Sequence, residues 1–186
     1  MKTILSQAFV ALFILVAAAC ATVPTSDIKV ETETAPGVDL AAYKTYAWLA
    51  AAKILNDPAG HWEPPQFDAD AEIKWLIDRE LRARGINEFA SYPDMFVAFV
   101  AGVDMTQLEL KEDPKTRFEV LKSAPKGALA VIFIDGATGD PVWAGSAVGD
   151  IKSDRPAEQS KARLDYAVTQ MFRKLPNRTS NKGSSE

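Results

Sequence analysis

The sequence predicts an α+β fold, with a mostly antiparallel sheet of about five strands and two helices packed on one face. Two continuous apolar runs, residues 95–100 and 128–134, are rich in β-forming side chains and too short for core helices, which is typical of central strands. Two longer segments place apolar side chains at three- and four-residue spacing, as amphipathic helices do. The segments follow one another as strands, helix, strands and helix, which favours one layer of helices on one sheet.

The N-terminal strands come first in this order. Residues 28–31 alternate apolar with polar side chains, as a half-buried strand does, and the aromatic-rich residues 43–49 form a second strand candidate. Pro36 and Gly37 mark a turn between them. Residues 50–67 contain two adjacent prolines and the only histidine, so we expect the longest loop of the domain there.

The two helices are predicted at 68–84 and from Pro156 to Pro176. The first has acidic residues in its first turn, arginines in its last turn and Gly85 as its stop, in agreement with the helix dipole. The apolar stripe of the first helix is Ala69, Ile73, Leu76, Ile77 and Leu81, and that of the second is Leu164, Val168, Met171, Phe172 and Leu175.

Two hairpins complete the predicted sheet. Residues 142–148 pair with 128–134 through a glycine-containing turn at 135–141. Between the central strands, residues 106–111 and 116–122 alternate apolar with polar side chains and predict a two-stranded arm. An isolated hairpin is marginal in water, so the apolar face that carries Leu108 and Phe118 must pack on the domain or on a partner.

The N-terminus is typical of an exported bacterial lipoprotein. Residues 1–19 have a positive start, an apolar stretch too short to span a bilayer and a small-residue end, which predicts a signal peptide. Cys20, the only cysteine, follows directly and resembles the lipidated cysteine of a lipobox, although an ordinary signal peptide beside a stray cysteine is the alternative. We expect a lipidated linker at 20–27, one domain at 28–176 and a disordered tail at 177–186.

The expected location is the periplasmic leaflet of the outer membrane of a diderm bacterium. The residue after Cys20 is Ala21 and not an aspartate. This resembles the pattern of lipoproteins that are passed on to the outer membrane. A multiply acylated cysteine anchors firmly because each buried methylene adds about 0.8 kcal/mol. The linker, fully extended, reaches at most roughly 25–30 Å, so the domain lies close to the lipid surface.

The charge, the counts of histidine and cysteine and the position of the glycines argue against several classes of protein. A net charge of -4 and a pI near 5.2 oppose binding to nucleic acid. Gly136 and Gly139 join two strands and do not open a helix, so no nucleotide-phosphate site is indicated. One histidine and one lipidated cysteine leave no Cys/His metal cluster and exclude most familiar hydrolase designs, and we expect no cofactor.

Short motifs spread over residues 28–176 resemble a family of bacterial lipoproteins, the domain of unknown function 4136. They are Tyr43-Lys44-Thr45-Tyr46-Ala47-Trp48, Glu80-Leu81 with Arg84-Gly85, Pro93-Asp94, Ile134-Asp135 with Thr138-Gly139, Val142-Trp143 with Gly145, and Met171-Phe172 with Pro176. The resemblance implies the fold and the anchor, but no catalytic residue, because the family's function is not established. The chain departs from the family between Gly102 and Gly127, where relatives carry a stretch rich in Gly, Tyr and Trp.

Four side chains are candidate binding residues: Trp62, Trp75, Leu108 and Phe118. Trp62 lies in the long loop and Trp75 falls off the apolar stripe of its helix, and interfaces use exposed aromatic residues. The alternative is that the loop folds back and covers Trp75. Trp48 and Trp143, on strands, are expected in the core, with a ligand groove as the alternative.

The leading functional hypothesis is a non-catalytic envelope module, attached to the membrane by its lipid, that binds an envelope protein or a cell-wall component. The alternative is a small hydrolase that acts on an envelope component through the acidic loop from His61 to Asp70. That loop could also form a weak oxygen-rich metal site. In the purely structural interpretation, His61 is a solvated loop residue and the carboxylates begin a helix. Asp135 and Asp140 are interpreted as turn residues, with a glycosidase pair as the alternative.

Overall fold

Along the chain, one α-helix connects strands that belong to the same sheet. A computed structural model describes residues 23–112 and 119–175. It contains β1 (Lys29–Thr34), a 3-10 turn (Leu40–Ala42), β2 (Thr45–Asn56), α1 (Ala69–Ala83), β3 (Asn87–Glu88), β4 (Met95–Asp104), β5 (Leu108–Glu112), β6 (Glu119–Ser123), β7 (Lys126–Asp135), β8 (Pro141–Asp150) and α2 (Ala157–Arg173). The predicted signal peptide, Cys20, Phe118 and the tail at 177–186 lie outside the described residues.

Six strands form one mixed sheet in the order β1-β8-β7-β4-β2-β3. The neighbours from β1 to β4 are antiparallel, whereas β4–β2 and β2–β3 are parallel. The α+β class with two helices is therefore confirmed, but the predicted sheet of about five mostly antiparallel strands was inexact. The parallel part arises because α1 connects β2 to β4, and a helical crossover returns the chain in the same direction.

Strand β2 is longer than predicted, since it extends to Asn56 into the expected loop at 50–67. After a bulge between Trp48 and Ala50 it continues along β4, down to the pair Asn56 and Asp104. The run of alanines at 50–52 has low strand propensity, and pairing with the apolar strand β4 overrides it. The remaining loop before α1 is residues 57–68.

The core lies between one face of the sheet and both helices. The largest fully buried side chains include Tyr46, Ile77, Phe133, Trp143 and Phe172. The ring centroids of Phe133 and Trp143 are 4.5 Å apart, and Phe172 of α2 meets both rings at 5.9 and 5.6 Å. Trp143 is thus in the core as predicted, while Trp48 is half-buried at its edge.

The opposite face of the central strands is also apolar. It carries the side chains that alternate with the core residues: Phe96, Ala98, Val100, Ala130, Ile132 and Ile134. These side chains are half-buried, and neither described helix packs on their face. Two apolar faces explain why the sequences of β4 and β7 are continuous apolar runs rather than alternating ones.

Strands β5 and β6 form the predicted arm as a separate two-stranded sheet. Leu108 pairs with Ser123 at its base, where the Ala124 amide donates to the Gln107 carbonyl at 2.9 Å. Leu108 is 59% exposed. In the part of the chain that the structure describes, this ribbon joins no strand of the six-stranded sheet.

A candidate binding groove at one end of the sheet

An open groove with a volume of about 520 Å³ lies between the sheet and the first turns of both helices. Its floor is the end of the sheet where β4 finishes, β7 begins and β8 finishes, because Asp104 pairs with Lys126 and Lys126 with Asp150. Residues 62–67 close one side. The volume falls in the range of roughly 300–1,000 Å³ that is usual for small-molecule sites.

The walls of the groove are mainly apolar. They include Trp62, Pro64, Phe67, Ile73, Leu129, Ile151 and Leu164. Leu129 and Ile73 belong to the core face, so the groove is a continuation of the core to the surface. Small residues of the sheet leave the space, since a Cβ on Gly127 would stand 2.7 Å from Cδ1 of Ile151.

The loop wall is held by two contacts. The Trp62 amide donates to the Asp57 carboxylate at 2.6 Å, and the Lys161 ammonium of α2 lies 5.5 Å from the centre of the Phe67 ring. The hydrogen bond lowers the pKa of Asp57. These contacts place the half-buried Trp62 ring in the groove wall.

Cationic side chains gather where β8 leads into α2. Lys152, Arg155 and Arg163 all line the groove there. Arg155 donates to the Asp150 carbonyl at 3.2 Å and, among the described residues, has no carboxylate within salt-bridge distance. Burial and the neighbouring charge of Arg163 lower the pKa of Arg155, and the smaller attraction of Asp27, Asp150 and Asp154 partly offsets this lowering.

The facing wall is acidic, but its charge is paired. Asp70 in the first turn of α1 forms a 2.8 Å salt bridge with Lys53 of β2. Its second carboxylate oxygen is buried and accepts no hydrogen bond from the described part of the chain. The ion pair leaves little net charge on this wall, whereas the wall of β8 and α2 carries Lys152 and Arg155 beside Asp150.

The segment before β1 is fixed at the edge of the groove by Arg163. This guanidinium is only 7% exposed and binds both carboxylate oxygens of Asp27, one at 2.8 Å, and it also donates to the Pro24 carbonyl. The Arg163 hydrogen bonds hold the pKa of Asp27 well below its usual range. A Cβ on Gly149 would lie 3.1 Å from the guanidinium, so the glycine makes room for the ion pair.

The four predicted binding residues do not come together. Trp62 lines the groove, whereas Trp75 lies outside its lining, 52% exposed, with the Arg79 guanidinium 5.4 Å from its ring centre. The long loop therefore leaves Trp75 uncovered. Leu108 is exposed on the ribbon, and Phe118 lies outside the described residues.

Two carboxylates of the acidic loop, Asp68 and Asp70, have structural partners, as does Asp57 just before it; Asp70 pairs with Lys53. Asp57 accepts from the Trp62 amide, and Asp68 caps α1 by accepting from the amides of Asp70 and Ala71, both at 3.1 Å. His61 is exposed. No group of three potential metal-ligating side chains occurs within residues 23–112 and 119–175. The geometry favours the structural interpretation of this loop.

The predicted turn residue Asp135 also has structural hydrogen-bond partners. Its carboxylate accepts from the Tyr43 hydroxyl at 2.7 Å and from the amides of Ala137 and Thr138 at 2.8 Å. These bonds lower the pKa of Asp135, and burial together with Asp135 raises the pKa of Tyr43 to about 12. The pair closes the hairpin turn at the end of the sheet opposite to the groove.

Sequence reasoning missed Arg163 and Asp27. A signal existed for Arg163, because it stands four and eight residues before the buried Ala167 and Met171, at a position of the apolar stripe. A charged residue there requires a partner, and that partner is remote in sequence. Arg155 offered no such pattern.

The fold defines the class of protein: a mixed six-stranded sheet carries two helices on one face, with a groove between sheet and helices at one end. The chain belongs to the family described as "Domain of unknown function (DUF4136)", whose model matches residues 30–177. This finding confirms the resemblance drawn from the short motifs.

Solved structures similar to the chain include a DUF4136 family protein from Bacteroides thetaiotaomicron, at 15% identity and a TM-score of 0.50, with 79% of this chain and 95% of that chain covered. The PelC dodecamer from Paraburkholderia phytofirmans has 12% identity and a TM-score of 0.44, with coverage of 78% and 94%. Lipoprotein GNA1162 from Neisseria meningitidis has 12% identity and a TM-score of 0.38, with coverage of 69% and 97%. No curated protein matches the chain.

Proposed function

We propose that the chain is a non-catalytic binding module of the bacterial envelope, anchored by lipid on Cys20 to the periplasmic face of the outer membrane, and that the groove is its binding site. The observation that carries this proposal is an apolar groove with the half-buried Arg155, which forms no salt bridge among the described residues, beside the fixed N-terminal segment. Such a combination of apolar walls and a few polar groups is typical of ligand sites.

The position of Pro24 supports the anchor. Arg163 holds the Pro24 carbonyl at the edge of the groove, and Cys20 precedes it by four residues, which reach at most roughly 14 Å when extended. A lipid on Cys20 therefore keeps the groove near the membrane surface. Among the described residues, no helix has the length and apolarity to cross a bilayer itself.

The anchor is tested by the substitution Cys20→Ser in the full chain, with metabolic labelling by a fatty-acid analogue. We expect the natural chain to take up the label and fractionate with membranes, and the variant to take up none. Ser26→Ala, in the same segment and exposed, is the matched control and retains both properties. A natural chain that is unlabelled and soluble would refute the anchor.

The binding role is tested by pull-down of the anchored chain from cross-linked envelopes, in parallel with hydrolysis assays on envelope-type substrates. We expect a recovered component whose yield falls when Trp62, in the groove wall, is replaced by alanine, while Trp75→Ala leaves it unchanged. Hydrolysis that His61→Ala abolishes without unfolding the chain would instead establish the hydrolase alternative.

A further inference from the structure

We infer that the groove takes one acyl chain of an anionic amphiphile, with a carboxylate or phosphate head group on Arg155. This inference rests on the proposed function of the groove as a binding site and names the class of its ligand. The three features that carry it are the lining of the groove, the placement of its charges and the position of its opening.

The lining fits a hydrocarbon chain. The half-buried side chains of Trp62, Phe67 and Leu164 line the groove together with the buried Ile73 and Leu129. Ile73 and Leu129 belong to the core between the sheet and the helices, so the groove reaches that layer. Each methylene removed from water there adds to the affinity, so a long acyl chain gains more from the groove than a short one.

The charges fix the direction in which the amphiphile lies. Arg155 is half-buried and donates to the Asp150 carbonyl. The carboxylates of Asp27, Asp150 and Asp154 act on it only through their charge, and among the described residues it forms no salt bridge. A guanidinium binds a carboxylate or phosphate through two parallel hydrogen bonds. The exposed Lys152 lies in the same wall. On the facing wall, Lys53 is already paired with Asp70. Arg155 and Lys152 line the groove without a salt bridge among the described residues, so the head group belongs on the side of β8 and α2.

The opening of the groove favours a ligand that comes from the membrane. Ile28 lines this edge, and Arg163 of the lining holds the Pro24 carbonyl in the segment that leads to the proposed anchor. The acyl chains on Cys20 itself are a poorer occupant, because a thioether-linked acylglycerol carries no anion for Arg155. Their withdrawal from the bilayer would also remove the anchor.

The test uses the mature, lipidated chain in phosphatidylcholine nanodiscs, with palmitic acid that carries a photoreactive diazirine as the probe. After illumination, the labelled peptides are mapped by mass spectrometry over a range of probe concentrations. We expect saturable labelling of the peptides that contain Phe67, Leu129 and Leu164. The methyl ester of the same probe, which lacks the charge, is expected to label them more weakly.

The variant Arg155→Gln keeps a hydrogen-bond donor but removes the charge. Because a hydrogen bond between charged groups contributes about 1.5–3 kcal/mol, we expect the half-saturating concentration of the acid to rise about tenfold or more, with that of the ester unchanged. Arg155→Lys restores part of the affinity. Arg173→Gln, the same charge change at the exposed far end of α2, is the control and leaves labelling unchanged.

Three outcomes overturn the inference. The first is unsaturable or absent labelling of the groove peptides in a chain that still carries lipid on Cys20, which leaves the anchor standing. The second is equal labelling by acid and ester with no effect of Arg155→Gln, given unchanged thermal unfolding. The third is labelling that occurs only in the full-length Cys20→Ser chain, which shows that the anchor's own acyl chains fill the groove.

Discussion

Several residues of the family motifs hold the sheet and helices together through side-chain hydrogen bonds. The Tyr46 hydroxyl and the Trp48 indole nitrogen, both on β2, donate to the Asp78 carboxylate of α1 at 2.5 and 3.0 Å. Burial and Asp78 raise the pKa of Tyr46 above its usual range, so the hydroxyl keeps the proton that it donates. At the sheet end, Asp94 accepts from the amides of Lys44 and Thr45.

Gly145 lies under the ring of Trp143, and we predict that Gly145→Ala destabilises the domain. An added Cβ would stand 2.5 Å from the Trp143 ring and 3.2 Å from Sδ of Met171, so the core must shift. Overpacking of this kind costs about 1–3 kcal/mol, measurable as a lower free energy of unfolding in urea.

Gly102→Ala is the matched control, because a Cβ there meets its nearest atoms at ordinary distances of 3.8 and 3.9 Å. We expect this second variant to be neutral or slightly more stable. Equal losses in the two variants would contradict the role given to the Trp143 contact.

At the scale of single residues, the burial of side chains could be predicted from sequence, whereas ion pairs between distant residues could not. Trp143 was placed in the core by its strand, and Trp75 outside the apolar stripe of α1 by its spacing. The ion pair of Arg163 with Asp27 spans most of the domain in sequence, so no local pattern joins the two residues.

At the scale of elements, the helices were predictable because their signals are local. The predicted start at residue 68 agrees with the Asp68 cap of α1, and Gly85, with a φ of 73°, takes the left-handed conformation that ends it. The partners of β2 were not predictable, since strand order depends on contacts between distant segments. The extension of β2 along β4, beyond the predicted strand, likewise depends on contacts between distant segments.

The segment before β1 is predicted to make the stability of the domain depend on pH through Asp27. The pKa of Asp27 is lowered in the folded chain from its ordinary value of 3.8, so its contribution is complete above that value and is lost as the pH falls. We expect Asp27→Asn to lower the free energy of unfolding at pH 7 by about 3 kcal/mol, because it leaves Arg163 buried and unpaired.

The loss caused by Asp27→Asn should shrink as the pH falls below about 4, where Asp27 of the unfolded natural chain takes up its proton. Urea unfolding of both chains at pH 7 and pH 3 measures this difference. Asp140→Asn, which removes one exposed carboxylate from a turn, is the control. A loss that is independent of pH would show that the ion pair is not its source.

At the scale of the whole molecule, the groove, the segment before β1 and the ribbon lie at one end of the sheet. The pairs Asp104–Lys126 and Lys126–Asp150 define that end, and the ribbon leaves β4 and enters β7 there. The groove could not be predicted from sequence because its walls come from both helices, four strands and the loops between them. Only Trp62 among the predicted binding residues lies in it.

We predict that the ribbon is dispensable for folding. Replacing residues 108–123 by a short Gly/Ser turn keeps the bond between Gln107 and Ala124 and removes strands that pair with each other outside the main sheet. The midpoint of thermal unfolding should therefore change little. A large drop would make the ribbon part of the core, and unchanged recovery of the envelope component in a folded variant would reject the ribbon as a contact surface.

Strand β7 gives the domain a fixed height. Its ten residues, at about 3.3 Å each, separate the end with the groove from the hairpin turn after Asp135 by about 30 Å. If the chain is anchored at Cys20 with the groove end toward the lipid, as proposed, the turn lies about 30 Å farther from the bilayer than the groove when β7 is upright. In that orientation, the height of a partner above the bilayer would decide whether it can contact the turn.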